Sequence, residues 1–192
     1  MEKYYGYNSG MKKLCKLYVI LFLNKECEQK IHKFFISNYN IKKGKLIKNL
    51  HLTLYHSKRH LINPPDFNQN VNIIVNTIET RFMTMSPGGE NKRHDNLFHS
   101  KKTIGIRLTK RNEGIKDILE LRRRVYNHEP KFTERKQTTD WTNSFGSRHY
   151  QPHISLLRPL NDLEDSLIDV GKNFRSQINH LNFSRMEIKV KE

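Results

Sequence analysis

At 192 residues the chain is long enough for one compact domain, or two small lobes sharing a core, and too short for two large domains. Hydrophobic residues at 35% and aromatics at 10% support a packed interior and exclude a chain disordered throughout. The 35 Lys and Arg against 19 Asp and Glu leave a net charge of +16, a field that favours phosphate-bearing partners such as RNA, DNA, nucleotides or anionic lipid.

Residues 1–13, MEKYYGYNSGMKK, hold turn formers without a sustained period and read as a flexible arm ahead of a single domain over 14–192. The basic start and apolar run within 11–27 mimic a secretion signal. The uninterrupted apolar stretch LYVILFL is short, however, and Asn-Lys-Glu follows where small residues would mark cleavage. This segment reads as a first strand from Lys16 to Leu23. The next, NKECEQKIHKFFISNY, carries Cys27, Ile31, Phe34 and Phe35 at helical spacing. No run approaches the roughly 20 apolar residues of a membrane helix. Cys15 and Cys27 are too few for a disulfide scaffold, so the expectation is a cytoplasmic monomer without membrane attachment.

Farther along, VNIIVNTIETRFMTM (71–85) alternates as one or two strands, SPGGENKRHDNLFHSKK (86–102) is a polar loop, and TIGIRLT is again a strand. EGIKDILELRRRVY (113–126) sets Ile115, Ile118, Leu119, Leu121 and Val125 close to one helical face. Residues 127–150 read as a long irregular stretch, 162–178 as a short helix interrupted at Gly171, and LNFSRMEIKV (181–190) as a closing strand. The order strand, helix, strand, then strands, helix, strand gives two similar halves in an α+β architecture.

Each half contains one unusual strand. His51-Leu-Thr-Leu54 and His153-Ile-Ser-Leu156 repeat the pattern histidine, apolar, hydroxyl, leucine. Alternation puts His51 with Thr53, and His153 with Ser155, on one face, while the apolar residues anchor the other. With 10 histidines in the chain, about 0.1 such tetrads are expected by accident. Two imidazoles facing one cleft suit phosphodiester cleavage, in which one takes a proton from the attacking oxygen and the other gives one to the leaving oxygen. The hydroxyls of Thr53 and Ser155 suit the non-bridging phosphate oxygens. The bland alternative is that both histidines satisfy core backbone groups, which leaves the paired hydroxyls unexplained.

The paired tetrads HLTL and HISL resemble the defining motifs of the two-histidine (2H) phosphoesterases, the LigT-like or 2′-5′ RNA ligase-like family. The resemblance implies a bilobal, pseudo-twofold fold in which two antiparallel sheets form a central cleft with helices outside. It implies catalysis by His51 and His153 without metal or other cofactor, and phosphate binding by Thr53 and Ser155. The substrate class implied is a cyclic or short 2′-5′-linked nucleotide, such as cyclic GMP-AMP or a 2′-5′ oligoadenylate. Some relatives, viral ones included, degrade such messengers and so evade nucleotide-based immunity. Two other readings stay open. One is RNA end processing at a 2′,3′-cyclic phosphate, and the other is a non-catalytic RNA- or nucleotide-binding module.

Four further side chains are candidates for substrate contact. Tyr150 precedes the second motif and suits a base or phosphate, with a core role as the alternative. Arg158 follows that motif and suits a phosphate, although strict alternation aims it away from His153. Trp141 and Phe145 suit stacking on a base, or anchoring their own loop. The remaining histidines lack metal-ligand spacing. Weak nonspecific RNA binding is the expected by-product of the charge.

Overall fold

The structure, a computed structural model, describes residues 14–60, 68–78, 80–85, 103–109, 114–132, 150–158, 163 and 166–191. Among the described residues seven strands and three α-helices follow one another as β1 (Leu14–Leu23), α1 (Lys25–Tyr39), β2 (His51–His60), β3 (Gln69–Asn76), β4 (Thr80–Met85), β5 (Thr103–Leu108), α2 (Gly114–Phe132), β6 (His153–Leu157), α3 (Leu167–Gln177) and β7 (His180–Lys191). All seven strands belong to one sheet in the order β3-β7-β1-β2-β6-β5-β4, and every pairing in it is antiparallel. The architecture is α+β as expected. The two expected sheets are instead one, because the two motif strands are themselves neighbours and meet at Leu52 and Ile154.

One row of residues explains how the sheet holds together. Phe82, Ile106, Ile154, Leu52, Leu21 and Met186 are successive cross-strand partners through six strands. All but Phe82 are buried, and Phe82 packs on Phe174 of α3. These side chains share the face on which the helices lie. From α1 come Cys27, Ile31, Phe34 and Phe35, from α2 Ile115, Ile118, Leu121 and Val125, and from α3 Val170 and Phe174. Removing such large apolar side chains from water supplies about 1.5–3 kcal/mol each. The opposite face carries the hydroxyls, imidazoles and guanidinium groups described below, together with buried Ile20 and Phe22.

Two helical expectations are corrected. α2 runs on to Phe132, through part of what read as irregular chain from 127. Pro130 falls in its final turn without ending it. Gly171 does not interrupt α3 but lies inside it and is buried. A Cβ there would come within 3.3 Å of the Phe82 ring and 3.2 Å of the Arg175 guanidinium, so glycine lets α3 approach β4 closely. The expected arm 1–13, the loop 86–102 and residues 133–149 of the long stretch lie outside the described residues.

Candidate active site

The polar face of the sheet is centred on the β2–β6 junction. Antiparallel pairing of Leu52 with Ile154, continued one residue either way, sets His51 opposite Ser155 and Thr53 opposite His153. The two His-x-hydroxyl pairs are thus interlocked crosswise on one surface, with the imidazoles as diagonal neighbours. In a regular ladder such diagonals are about 7–8 Å apart, a span one phosphate group can bridge. All four side chains are partly exposed, while Leu52, Leu54, Ile154 and Leu156 behind them are buried.

Both imidazoles are held in the same way. Nδ1 of His51 donates to the carbonyl of Asn49 at 2.8 Å, and Nδ1 of His153 donates to the carbonyl of Gln151 at 2.9 Å. A carbonyl oxygen only accepts, so the proton in each neutral ring is on Nδ1 and Nε2 keeps its lone pair. Each ring is therefore oriented by the backbone two residues before it, and its other nitrogen keeps a lone pair.

The entry to each motif strand is braced differently. Ahead of His51, Asn49 adopts a left-handed conformation at φ 54°, and the Glu28 carboxylate from α1 accepts from the N–H groups of Asn49 and Leu50, both at 3.0 Å. Glu28 stays in reach because α1 starts firmly, with Asn24 Oδ1 accepting from Cys27 N at 2.7 Å. Ahead of His153, the carbonyl of buried Pro152 accepts from Leu108 N at 2.8 Å. Tyr150 then ties the two strands together, its hydroxyl donating to the Thr53 carbonyl at 3.0 Å.

A bulge follows the hydroxyl in both motifs. Between β1 and β2 the register passes from Ile20–Thr53 to Val19–Tyr55, leaving Leu54 as the extra residue. Between β5 and β6 it passes from Gly105–Ser155 to Ile104–Leu157, leaving Leu156. Consecutive residues Leu54 and Tyr55, and likewise Leu156 and Leu157, are consequently buried together. A bulge bends and twists its strand, and here it does so one residue beyond each motif hydroxyl.

Around this shared centre the neighbours differ. Beside His51 in register is Phe22, with ring centroids 5.6 Å apart, and beside Thr53 is Ile20. Beside His153 is Arg107, and beside Ser155 is Gly105. A Cβ on Gly105 would strike the Ile154 carbonyl at 2.3 Å and the Met85 methyl at 2.0 Å, so no other residue fits there. Ser155 Oγ also lies 3.3 Å from the Thr103 hydroxyl. At the His51 end a cavity of about 410 Å³ opens among Phe22, Lys25, Asn49, Asn70 and Arg185.

Electrostatics favour a neutral His51. Burial lowers its pKa, and the cation of Lys189 and the imidazole of His153 act in the same sense, against the opposing hydrogen bond to Asn49 and the charge of Glu28. Tyr150 is buried, its phenol pushed far above its ordinary pKa by desolvation, and the Arg122 guanidinium lies over its ring at 4.5 Å. The structure thus places Tyr150 as a clasp behind the motif strands, the core role, and not on the open face.

Arg158 lies just past the end of β6, exposed, with its N–H bound to the Lys45 carbonyl at 2.9 Å. Trp141 and Phe145 lie outside the described residues. The sequence reading missed Phe22, Gly105 and Arg107, whose only signal is strand register, and Glu28, whose contact with the β2 entry joins distant segments. Among the described residues no cluster of three or more His, Cys, Asp or Glu forms, and no helix is long and apolar enough to cross a membrane. Neither a protein-family model, nor a curated protein, nor a solved structure matches the chain.

Proposed function

We propose that the protein is a phosphodiesterase that cleaves a cyclic or 2′-5′-linked nucleotide by acid–base catalysis between His51 and His153, in the manner of the two-histidine phosphoesterases it resembles. The observation that carries this reading is the antiparallel meeting of the two motifs at Leu52 and Ile154, with both Nδ1 atoms bound to backbone and both Nε2 atoms left to exchange a proton. Neutral His51 accepts the proton of the attacking hydroxyl or water at Nε2. Protonated His153 delivers one from Nε2 to the leaving oxygen, and its Nδ1 keeps the Gln151 carbonyl in both charge states. Thr53 and Ser155 donate to the non-bridging oxygens, where charge accumulates as the bond breaks. The pseudo-twofold repeat of strand, helix, bulged motif strand supports the bilobal form of that fold, with the Leu52–Ile154 pair as the seam between lobes.

The test is a panel of 2′,3′-cyclic mononucleotides, 2′-5′ and 3′-5′ oligonucleotides and cyclic dinucleotides, with products resolved by chromatography. Cleavage of at least one substrate, lost in His51→Ala, is expected. Intact substrates throughout would overturn the proposal in favour of a nucleotide-binding module.

A further inference from the structure

The polar face carries more positive charge on one side of the two histidines than cleavage of a single phosphate needs. Arg107 on β5 is the direct cross-strand partner of His153, and Arg81 on β4 is the direct cross-strand partner of Arg107. His153, Arg107 and Arg81 therefore form a row on one face, with successive members one strand spacing, about 4.8 Å, apart. Like charges directly opposite each other in a ladder are destabilising. Neither guanidinium enters an ion pair among the described residues.

The matching arginine in the other half shows the ordinary solution to such a placement. Arg185 on β7 is the cross-strand partner of Phe22, as Arg81 is of Arg107. Its Nε pairs with the Glu187 carboxylate at 2.7 Å, and its guanidinium lies over the Phe22 ring at 4.8 Å. The positions that match Phe22 and Glu187 across the pseudo-twofold are Arg107 and Met83. The second half thus replaces an aromatic platform with a cation, and a carboxylate with a thioether.

We infer that Arg107 and Arg81 form a second anion subsite, which holds a phosphate of the substrate other than the one being cleaved. The inference rests on the phosphodiesterase reading and deepens it by naming the substrate class, a nucleotide with at least two phosphates. Such a substrate has its scissile phosphate over the histidines and its second phosphate along β5 and β4, on the side of the proton donor and leaving group. Guanidinium forks suit a terminal phosphate or an internucleotide phosphate equally in chemistry, and a pair of them supplies several charge-assisted donors. A 2′,3′-cyclic mononucleotide leaves the subsite empty and two cations uncompensated.

The experiment compares 2′-5′-linked diadenylate without terminal phosphates against the same dinucleotide phosphorylated on its leaving-side ribose, with wild type, Arg107→Gln and Arg81→Gln. The wild type is expected to show kcat/KM about 10-fold or more higher for the phosphorylated form, the scale of one charge-assisted hydrogen bond. Each variant is expected to lose most of that preference, chiefly through KM. A wild type indifferent to the added phosphate, or variants that slow both substrates by the same factor, would overturn the subsite. If wild type cleaves neither dinucleotide, binding is read by calorimetry. A preference for the phosphorylated form that disappears in Arg107→Gln then upholds the subsite while the phosphodiesterase reading falls, and equal binding of both forms sinks the subsite as well.

Discussion

The two halves of the sheet agree at the centre and diverge outward. At β2 and β6 the match extends to the tetrad, the backbone carbonyl that takes each Nδ1 proton, and the bulge after each hydroxyl. One strand farther out, Phe22 with its stacked and paired Arg185 stands on one side, and Arg107 with Arg81 on the other. The proposed proton chemistry needs two imidazoles that are held alike. Binding needs the halves unequal, because a nucleotide has two different ends. On the proposed reading, it is the flanks that would give the substrate its direction.

The largest effects should arise where the halves are equal. His51→Ala and His153→Ala are each expected to lower turnover by about 100-fold or more with folding preserved, as judged by circular dichroism and steady-state kinetics. Turnover close to wild type in only one variant would show that the equivalence is decorative. Thr53→Ala and Ser155→Ala should cost less, about 10-fold each, since each removes one of several donors to the phosphate. Ser155, which has the Thr103 hydroxyl beside it, should be the milder of the two.

Tyr150 tests a link present in one direction only, from the β6 side to the β2 backbone. Tyr150→Phe removes the donor to the Thr53 carbonyl and should lower unfolding stability by about 1 kcal/mol in urea denaturation. An unchanged midpoint would mean that the seam holds without it.

The smallest effect distinguishes the histidines by pH. Burial disfavours the imidazolium of His51, so its neutral, proton-accepting form persists below the ordinary histidine value of about 6.5. As pH falls, kcat/KM should hold through that value and drop only beneath it. An acid limb centred above it would take the base role away from His51.

How much of this was legible in the sequence depends on the range of the interaction. The two tetrads were readable because alternation is local, and α1 because Cys27, Ile31, Phe34 and Phe35 recur within one segment. Even the bulges have a local trace, the paired apolar residues Leu54-Tyr55 and Leu156-Leu157 where alternation should continue. Strand order is a long-range property. Nothing near residue 20 announces that β1 pairs with both β2 and β7, and nothing near Arg107 shows that β4 and β6 flank it. The Glu28 brace, the arginine row and the single continuous sheet were hidden for that reason. The end of α2 was misread because the apolar periodicity runs out at Val125, while the helix continues to Phe132.

The position of β1 also sets a timetable for synthesis. It is made first among the described strands and lies between β2 and β7, yet β7 occupies residues 180–191. At about 5–20 residues per second, the roughly 160 residues separating them occupy a ribosome for on the order of ten to thirty seconds. Throughout that interval one edge of β1 has no ladder partner, and its flanking Val19, Leu21 and Leu23 have no finished core to enter. An open apolar edge invites pairing with other chains. The nascent protein therefore depends on shielding until its final strand emerges, and a chain cut short before β7 would carry that exposure permanently.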